Sequence, residues 1–149
     1  MGALALPEYG VVYLDANSII YTIESVEPYL TALNPLWDAV QAGPLTVATS
    51  DLTLLEVLVG PLKRGDKGLE TDYRALLQRS QGVQLIPISH AVLEHAANLR
   101  ATTSLKTPDA IHAATALITG CALFVTNDGA FKKVPGLPVA VLSETIASS

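Results

Sequence analysis

Four carboxylates in this chain stand where a folded domain could gather them. Asp15 closes the apolar run Gly10-Val11-Val12-Tyr13-Leu14, and Asp128 follows Cys121-Ala122-Leu123-Phe124-Val125 by way of Thr126-Asn127. Glu56 interrupts the apolar stretch from Leu52 to Val59, and Asp109 heads a small-residue apolar segment behind Thr107-Pro108. Acids brought close repel one another and raise one another's pKa unless a cation sits between them. No Cys/His cluster accompanies them, so the donors are oxygens, which select a hard ion such as Mg²⁺ or Mn²⁺. Such an ion lowers the pKa of a bound water and stabilises charge on a phosphodiester during in-line attack.

Each acid alone has a plain structural explanation. Asp109 lies near a helix N-terminus, where the dipole favours an anion by about 0.3–1 kcal/mol. Asn127-Asp128-Gly129 is ordinary turn chemistry. Glu56 points either out through a gap in the apolar surface or into a polar site. The combination carries more weight. Asp15 and Asp128 each follow a strand that reads as buried, and in a parallel sheet the C-terminal ends of all strands share one edge. Where Asp109 stands relative to that edge depends on the fold.

The elements that must position these groups follow from periodicity and punctuation. Strands are expected at 10–14, 45–49, 83–88, 121–125 and 137–142. A helix opens after Asp15 with Ile19, Ile20 and Ile23, and a second starts at Glu27-Pro28 and carries an apolar stripe to Val40, kinked or divided at Asn34-Pro35. Trp37 on that stripe reads as a core or interface aromatic. Ser50 caps a helix from Asp51 that Gly60-Pro61 ends or bends. Leu69 to Gln78 is amphipathic, Ser89 caps a helix to about Thr103, and Pro108 opens the last long one. Strands alternating with helices or helix pairs make an α/β fold with a mainly parallel central sheet. The expected organisation is an extension at 1–9, one domain over 10–143 and a short polar tail at 144–149.

Composition bounds the function. The 149 residues are half hydrophobic, with a formal charge of −5. That is one domain's worth of chain, and an acidic balance argues against coating nucleic acid by charge alone. Mean hydropathy is +0.39, yet the apolar runs fall short of a membrane span of about 20 residues. The first ten residues lack the pattern of a secretory signal. The single cysteine, Cys121, precludes an internal disulfide and reads as a small core residue rather than a nucleophile. A cytoplasmic protein with no membrane association is expected.

Leu14-Asp15-x-Asn17, Ser50-x-x-Thr53-x-x-Glu56-Val57, Pro108-Asp109-Ala110-Ile111-x-Ala113-Ala114 and Thr126-x-Asp128-x-x-Phe131-x-x-Val134-x-Gly136-Leu137 resemble the successive motifs of PIN domains. Within that family the chain is most similar to the VapC-type toxins of bacterial toxin–antitoxin pairs, from about Val11 to Leu142. The resemblance implies a three-layer α/β/α fold and a Mg²⁺- or Mn²⁺-dependent endoribonuclease acting on RNA. It implies that Asp15, Glu56, Asp109 and Asp128 are the acidic positions. Asp15 and Asp109 would be the clearest metal ligands, Asp128 would bind directly or through water, and Glu56 would orient the attacking water or a second ion. Thr126 matches the family's common site hydroxyl, and Asn17 stands beside the first acid. A small antitoxin partner and a homodimer are implied as well.

Other polar residues have weaker claims. His112, one helical turn after Asp109, faces the site or is hydrogen-bonded at the core edge. His90 and His95 read as structural or exposed. Lys106, Lys132 and Lys133 lie near the acids in sequence and could hold RNA phosphates; Lys63, Arg64 and Lys67 could do so or form a solvated face. Two rival classes remain. One is a PIN-like module that binds RNA or protein without cutting. The other is a receiver-type domain, which would want adjacent acids after the first strand where this chain has Asp15 alone.

Overall fold

In the computed structural model, residues 3–147 are described. Met1 and Gly2 of the expected extension, and Ser148 and Ser149 of the expected tail, lie outside the described residues. Alternation along the strands decides the layers. In β1 (Gly10–Leu14), Val12 and Leu14 face one core and Tyr13 the other. In β2 (Leu45–Ser50), Val47 and Ala48 divide the same way, as do Val125 and Phe124 of β4 (Leu123–Thr126). Both faces of each strand are covered, as a parallel sheet requires.

The first core is closed by α1 (Ala16–Ile23), α2 (Tyr29–Ala42), α3 (Asp51–Arg64), α4 (Lys67–Arg74) and α7 (Leu142–Ala147). Leu4 of the N-terminal extension is buried there, and Leu6 packs against it. The second core is closed by α5 (His90–Thr102), α6 (Thr107–Thr119) and a 3₁₀ turn at Gly129–Lys133. Its aromatic spine stacks Tyr13 on Phe124 at 5.1 Å, with Phe131 4.7 Å beyond. The result is the three-layer α/β/α arrangement.

The five strands, with β3 (Val83–Ile86) and β5 (Val139–Val141), run in the order β3-β2-β1-β4-β5 and all pair in parallel. Tyr13 aligns with Ala48 on one side and Phe124 on the other. The chain therefore winds one way from β1 to β3 and the other way from β4 to β5. The switch lies between β1 and β4, where α/β folds open a crevice at the C-terminal edge. Because α6 feeds β4, its N-terminus stands at that same edge and carries Asp109 there.

Several boundaries differ from the sequence expectation. α2 runs unbroken through Asn34-Pro35, and α3 runs through Gly60-Pro61. An internal proline costs about 3 kcal/mol in an isolated helix, but Leu33, Leu36 and Pro61 are buried, and packing outweighs the lost bond. β3 stops at Ile86, where Pro87 has no N–H to pair. The expected 69–78 helix is α4 followed by a π turn at Ala75–Arg79. β4 begins later than expected and includes Thr126; β5 is only three residues long. Most of the segment read as a polar tail is α7. Among the described residues no helix is long and apolar enough to cross a membrane.

Candidate active site

Asp15 leaves β1 and caps α1. It is 6% exposed, so its carboxylate must be satisfied from within. Its Oδ1 accepts from the Ser18 N–H at 3.2 Å and the Ser18 hydroxyl at 3.1 Å. Its Oδ2 accepts from the Thr126 hydroxyl at 2.6 Å. Burial pushes the Asp15 pKa upward; the Thr126 bond, the nearby His112 and the Ser18 bonds pull against it. Thr126 is fully buried and does double duty, since its oxygen also accepts from the Asp128 N–H at 3.1 Å. One hydroxyl thus ties the end of β1 to the turn after β4.

Asp128 is exposed and caps the 3₁₀ turn, accepting from the Ala130 N–H at 2.9 Å. Asp109 is half-buried in the first turn of α6. No described residue donates a hydrogen bond to its carboxylate. Its pKa is raised, first by burial and then by Asp128, with Asp15 and Glu56 adding to the rise and His112 opposing it. The four acids therefore share one electrostatic neighbourhood, centred on Asp109.

Glu56 resolves the ambiguity left by its apolar surroundings. It turns from α3 toward α6, where its Oε1 meets His112 Nε2 at 2.7 Å. His112 is 2% exposed, and its other nitrogen, Nδ1, meets the Tyr13 hydroxyl at 2.7 Å. The histidine is hydrogen-bonded at the core edge and also touches a candidate site acid.

The supporting residues divide. Thr126 is joined to Asp15 as described, whereas Asn17 is exposed on the first turn of α1. Lys106 is exposed at the start of α6. Lys132 is paired with Glu144 of α7, and Lys133 Nζ lies 3.3 Å from the Ser104 hydroxyl. Cys121 is partly buried, and burial pushes its thiol up to about 11, which leaves it protonated at neutral pH.

Among the described residues, no group of three His, Cys, Asp or Glu side chains forms a ready cation cluster. Asp15, Asp128 and Glu56 are each engaged by their own protein partners. The donor chemistry still fits a hard divalent ion: every candidate is a carboxylate, and among the described residues none donates to Asp109, while its neighbours push its pKa up. A cation is what relieves such repulsion.

Two residues of the site escaped sequence reasoning. Ser18 stands three residues after a strand-ending Asp, the spacing of a capped helix start. Tyr13 lies in the middle of a strand that reads as buried, and a buried phenol must find a partner for its hydroxyl.

No curated protein matches this chain. A family model described as the PIN domain matches residues 12–137. Among solved structures the chain is similar to VapBC2 from Rickettsia felis bound to a DNA fragment from its promoter, at 23% identity and a TM-score of 0.67, covering 88% of this chain and 98% of that one. It is similar to a toxin–antitoxin complex from Klebsiella pneumoniae at 28% identity and a TM-score of 0.65, covering 87% and 96%. A third likeness is to VapC20 from Mycobacterium tuberculosis, a sarcin–ricin loop cleaving toxin, at 18% identity and a TM-score of 0.66, covering 81% and 92%. The match spans most of the sequence and the fold agrees with it: the chain belongs to the PIN-domain family.

Proposed function

We propose that this protein is a Mg²⁺- or Mn²⁺-dependent endoribonuclease and the toxin of a toxin–antitoxin pair. The observation that carries the reading is that the end of β1 with Asp15, the turn after β4 with Asp128 and the start of α6 with Asp109 meet at the sheet edge beside the β1/β4 switch, where Asp128, Asp15 and Glu56 each raise the Asp109 pKa. Bound there, the ion would supply an activated water and stabilise charge on the phosphodiester. Asp15 and Asp109 would hold it, and Asp128 would do so directly or through water. Glu56, at the rim of the site, would orient the attacking water. Ser18 and Thr126 fix both oxygens of Asp15, so that ligand does not reorient during turnover. Lys106 and Lys133, both exposed and near Asp109 and Asp128 in sequence, would meet RNA phosphates.

An antitoxin partner is supported by the Klebsiella likeness and by an exposed apolar stripe on α3, formed by Leu55, Val59 and Leu62. Cytoplasmic residence and a homodimer belong to the same reading. The test is cleavage of RNA by purified protein. Activity should need Mg²⁺ or Mn²⁺, stop with EDTA, and vanish in Asp15→Asn and in Asp109→Asn while circular dichroism stays native. Full activity in either variant would overturn the assignment.

One observation favours a second reading, a PIN-like module that binds without cutting: three of the four acids are already hydrogen-bonded within the protein. Calorimetry with Mn²⁺ separates the two. Absence of binding, together with tight association to RNA or a partner protein, selects the second.

A further inference from the structure

We infer that His112 is a positioning residue that holds Glu56 in the orientation the nuclease needs, with Tyr13 fixing the imidazole from behind. The inference rests on the nuclease reading of Glu56. It stands on the direction of four groups joined in series. The Ser50 N–H donates to the Tyr13 oxygen at 3.0 Å. The same phenol oxygen lies 2.7 Å from His112 Nδ1. An ionised carboxylate can only accept, so at the other end Nε2 carries the ring proton and donates it to Glu56 Oε1 at 2.7 Å.

The geometry makes this more than a satisfied core histidine. His112 is 2% exposed and sits in α6, whose neighbouring residues Ala110, Ala113 and Ala114 are wholly buried, so the ring is walled in. Tyr13 is also wholly buried and stacked on Phe124. Glu56 by contrast has a side chain 29% exposed. The series thus runs from a rigid core to the only member that reaches solvent. Residues of β1, β2 and α6 fix one rotamer of an acid on α3. Partners of this kind behind a site ligand typically change activity 10–100-fold, on the order of magnitude seen at metal centres.

The test compares His112→Asn and His112→Gln with wild type in RNA cleavage with Mn²⁺. Asn keeps an amide near the Nδ1 position but leaves Glu56 without a donor; Gln places an N–H near the Nε2 position. Asn should lower kcat by about 10–100-fold with KM unchanged, and Gln should restore most of it. Added to Glu56→Gln, the Asn change should cost nothing further, because the two act as a unit. Wild-type kcat in His112→Asn, or full additivity with Glu56→Gln, would overturn the inference. A readout without metal or activity is the ¹⁵N shift pair of the His112 ring in wild type and Glu56→Gln. A protonated Nε2 that moves on substitution supports the inference; a bare or unmoved Nε2 overturns it. Wild-type protein inert toward RNA would overturn the nuclease reading and the catalytic consequence together, while the ring shifts still decide whether His112 holds Glu56.

Discussion

The two edges of the sheet solve the same problem with opposite chemistry. At the C-terminal edge each long connection begins a helical turn, and the unpaired N–H groups are met by side chains: Asp15 after β1, Ser50 after β2, Ser89 after β3 and Asp128 after β4. At the N-terminal edge helices end, and the chain turns back through left-handed glycines, Gly43 before β2 and Gly120 before β4. Helix starts require acceptors and helix ends require a backbone with φ above zero. One edge therefore fills with acids and hydroxyls, and the other has little side chain to offer. Two of the four candidate acids, Asp15 and Asp128, stand where capping had already called for an acceptor.

Substitutions at the two edges should therefore fail in different ways. The largest effect is expected at Asp15, where Asn keeps the cap but removes the charge. RNA cleavage should fall at least about 10²-fold with the denaturation midpoint near wild type. Wild-type cleavage would erase the functional half of the comparison. Next comes Thr126→Val, which strips the hydroxyl from both Asp15 and the Asp128 N–H. Urea unfolding should show a loss of about 1–3 kcal/mol for the orphaned buried groups, together with reduced cleavage. Gly120→Ala tests the other edge. Its φ of 70° strains any side chain although nothing lies within 4 Å of a new Cβ. A loss of about 1–2 kcal/mol with cleavage per folded molecule unchanged is the expected result.

The smallest effect is electrostatic and has a definite sign. Asp15 and Asp109 both have folded-state pKa values above 3.8, their ordinary value, chiefly through burial. The folded chain holds these protons more tightly than the unfolded one. Their contribution to stability is therefore fullest below the ordinary carboxylate range and is lost as pH rises through the raised values. In EDTA, Asp109→Asn should melt increasingly above wild type as pH climbs from about 4 toward neutrality; each 1 kcal/mol of relief corresponds to about 2–4 °C. Excess Mg²⁺ should shrink that difference. A gap that narrows with pH in EDTA would contradict the placement of Asp109 among like charges.

How much of this could be read from the sequence depended on range. Asp15 and Asp128 were legible because a buried strand followed by an acid is a local pattern, and a parallel sheet does the rest. The strand order was not written in any segment. It sets β4 beside β1, and with α6 feeding β4 that brings Asp109 to the same stretch of edge as Asp15. Glu56 was ambiguous for the same reason: its partner, His112, is 56 residues away. Tyr13 is farther still from His112, at 99 residues. Asn17 matched by position, yet the first turn of α1 leaves it exposed. Pro35 and Pro61 misled because local propensity signals a break, whereas the decision belongs to the packing on either side. The contribution of Leu4 and Leu6 to the first core likewise depends on contacts that no short window contains.

The burial of α6 also has a consequence for hydrogen exchange. Ala110, Ala113, Ala114 and Ala116 are wholly inaccessible, with the sheet on one side and α5 on the other. The buried middle of such a helix has no inexpensive way to open on its own, so the amides from Ile111 to Ala116 should exchange only when the entire domain unfolds. Asp109 and His112 ride on that helix. A ligand captured at the edge would then slow exchange at these amides by the same factor as in the central strands. The protection pattern on adding Mn²⁺ would report the site's occupancy from amides that never touch it.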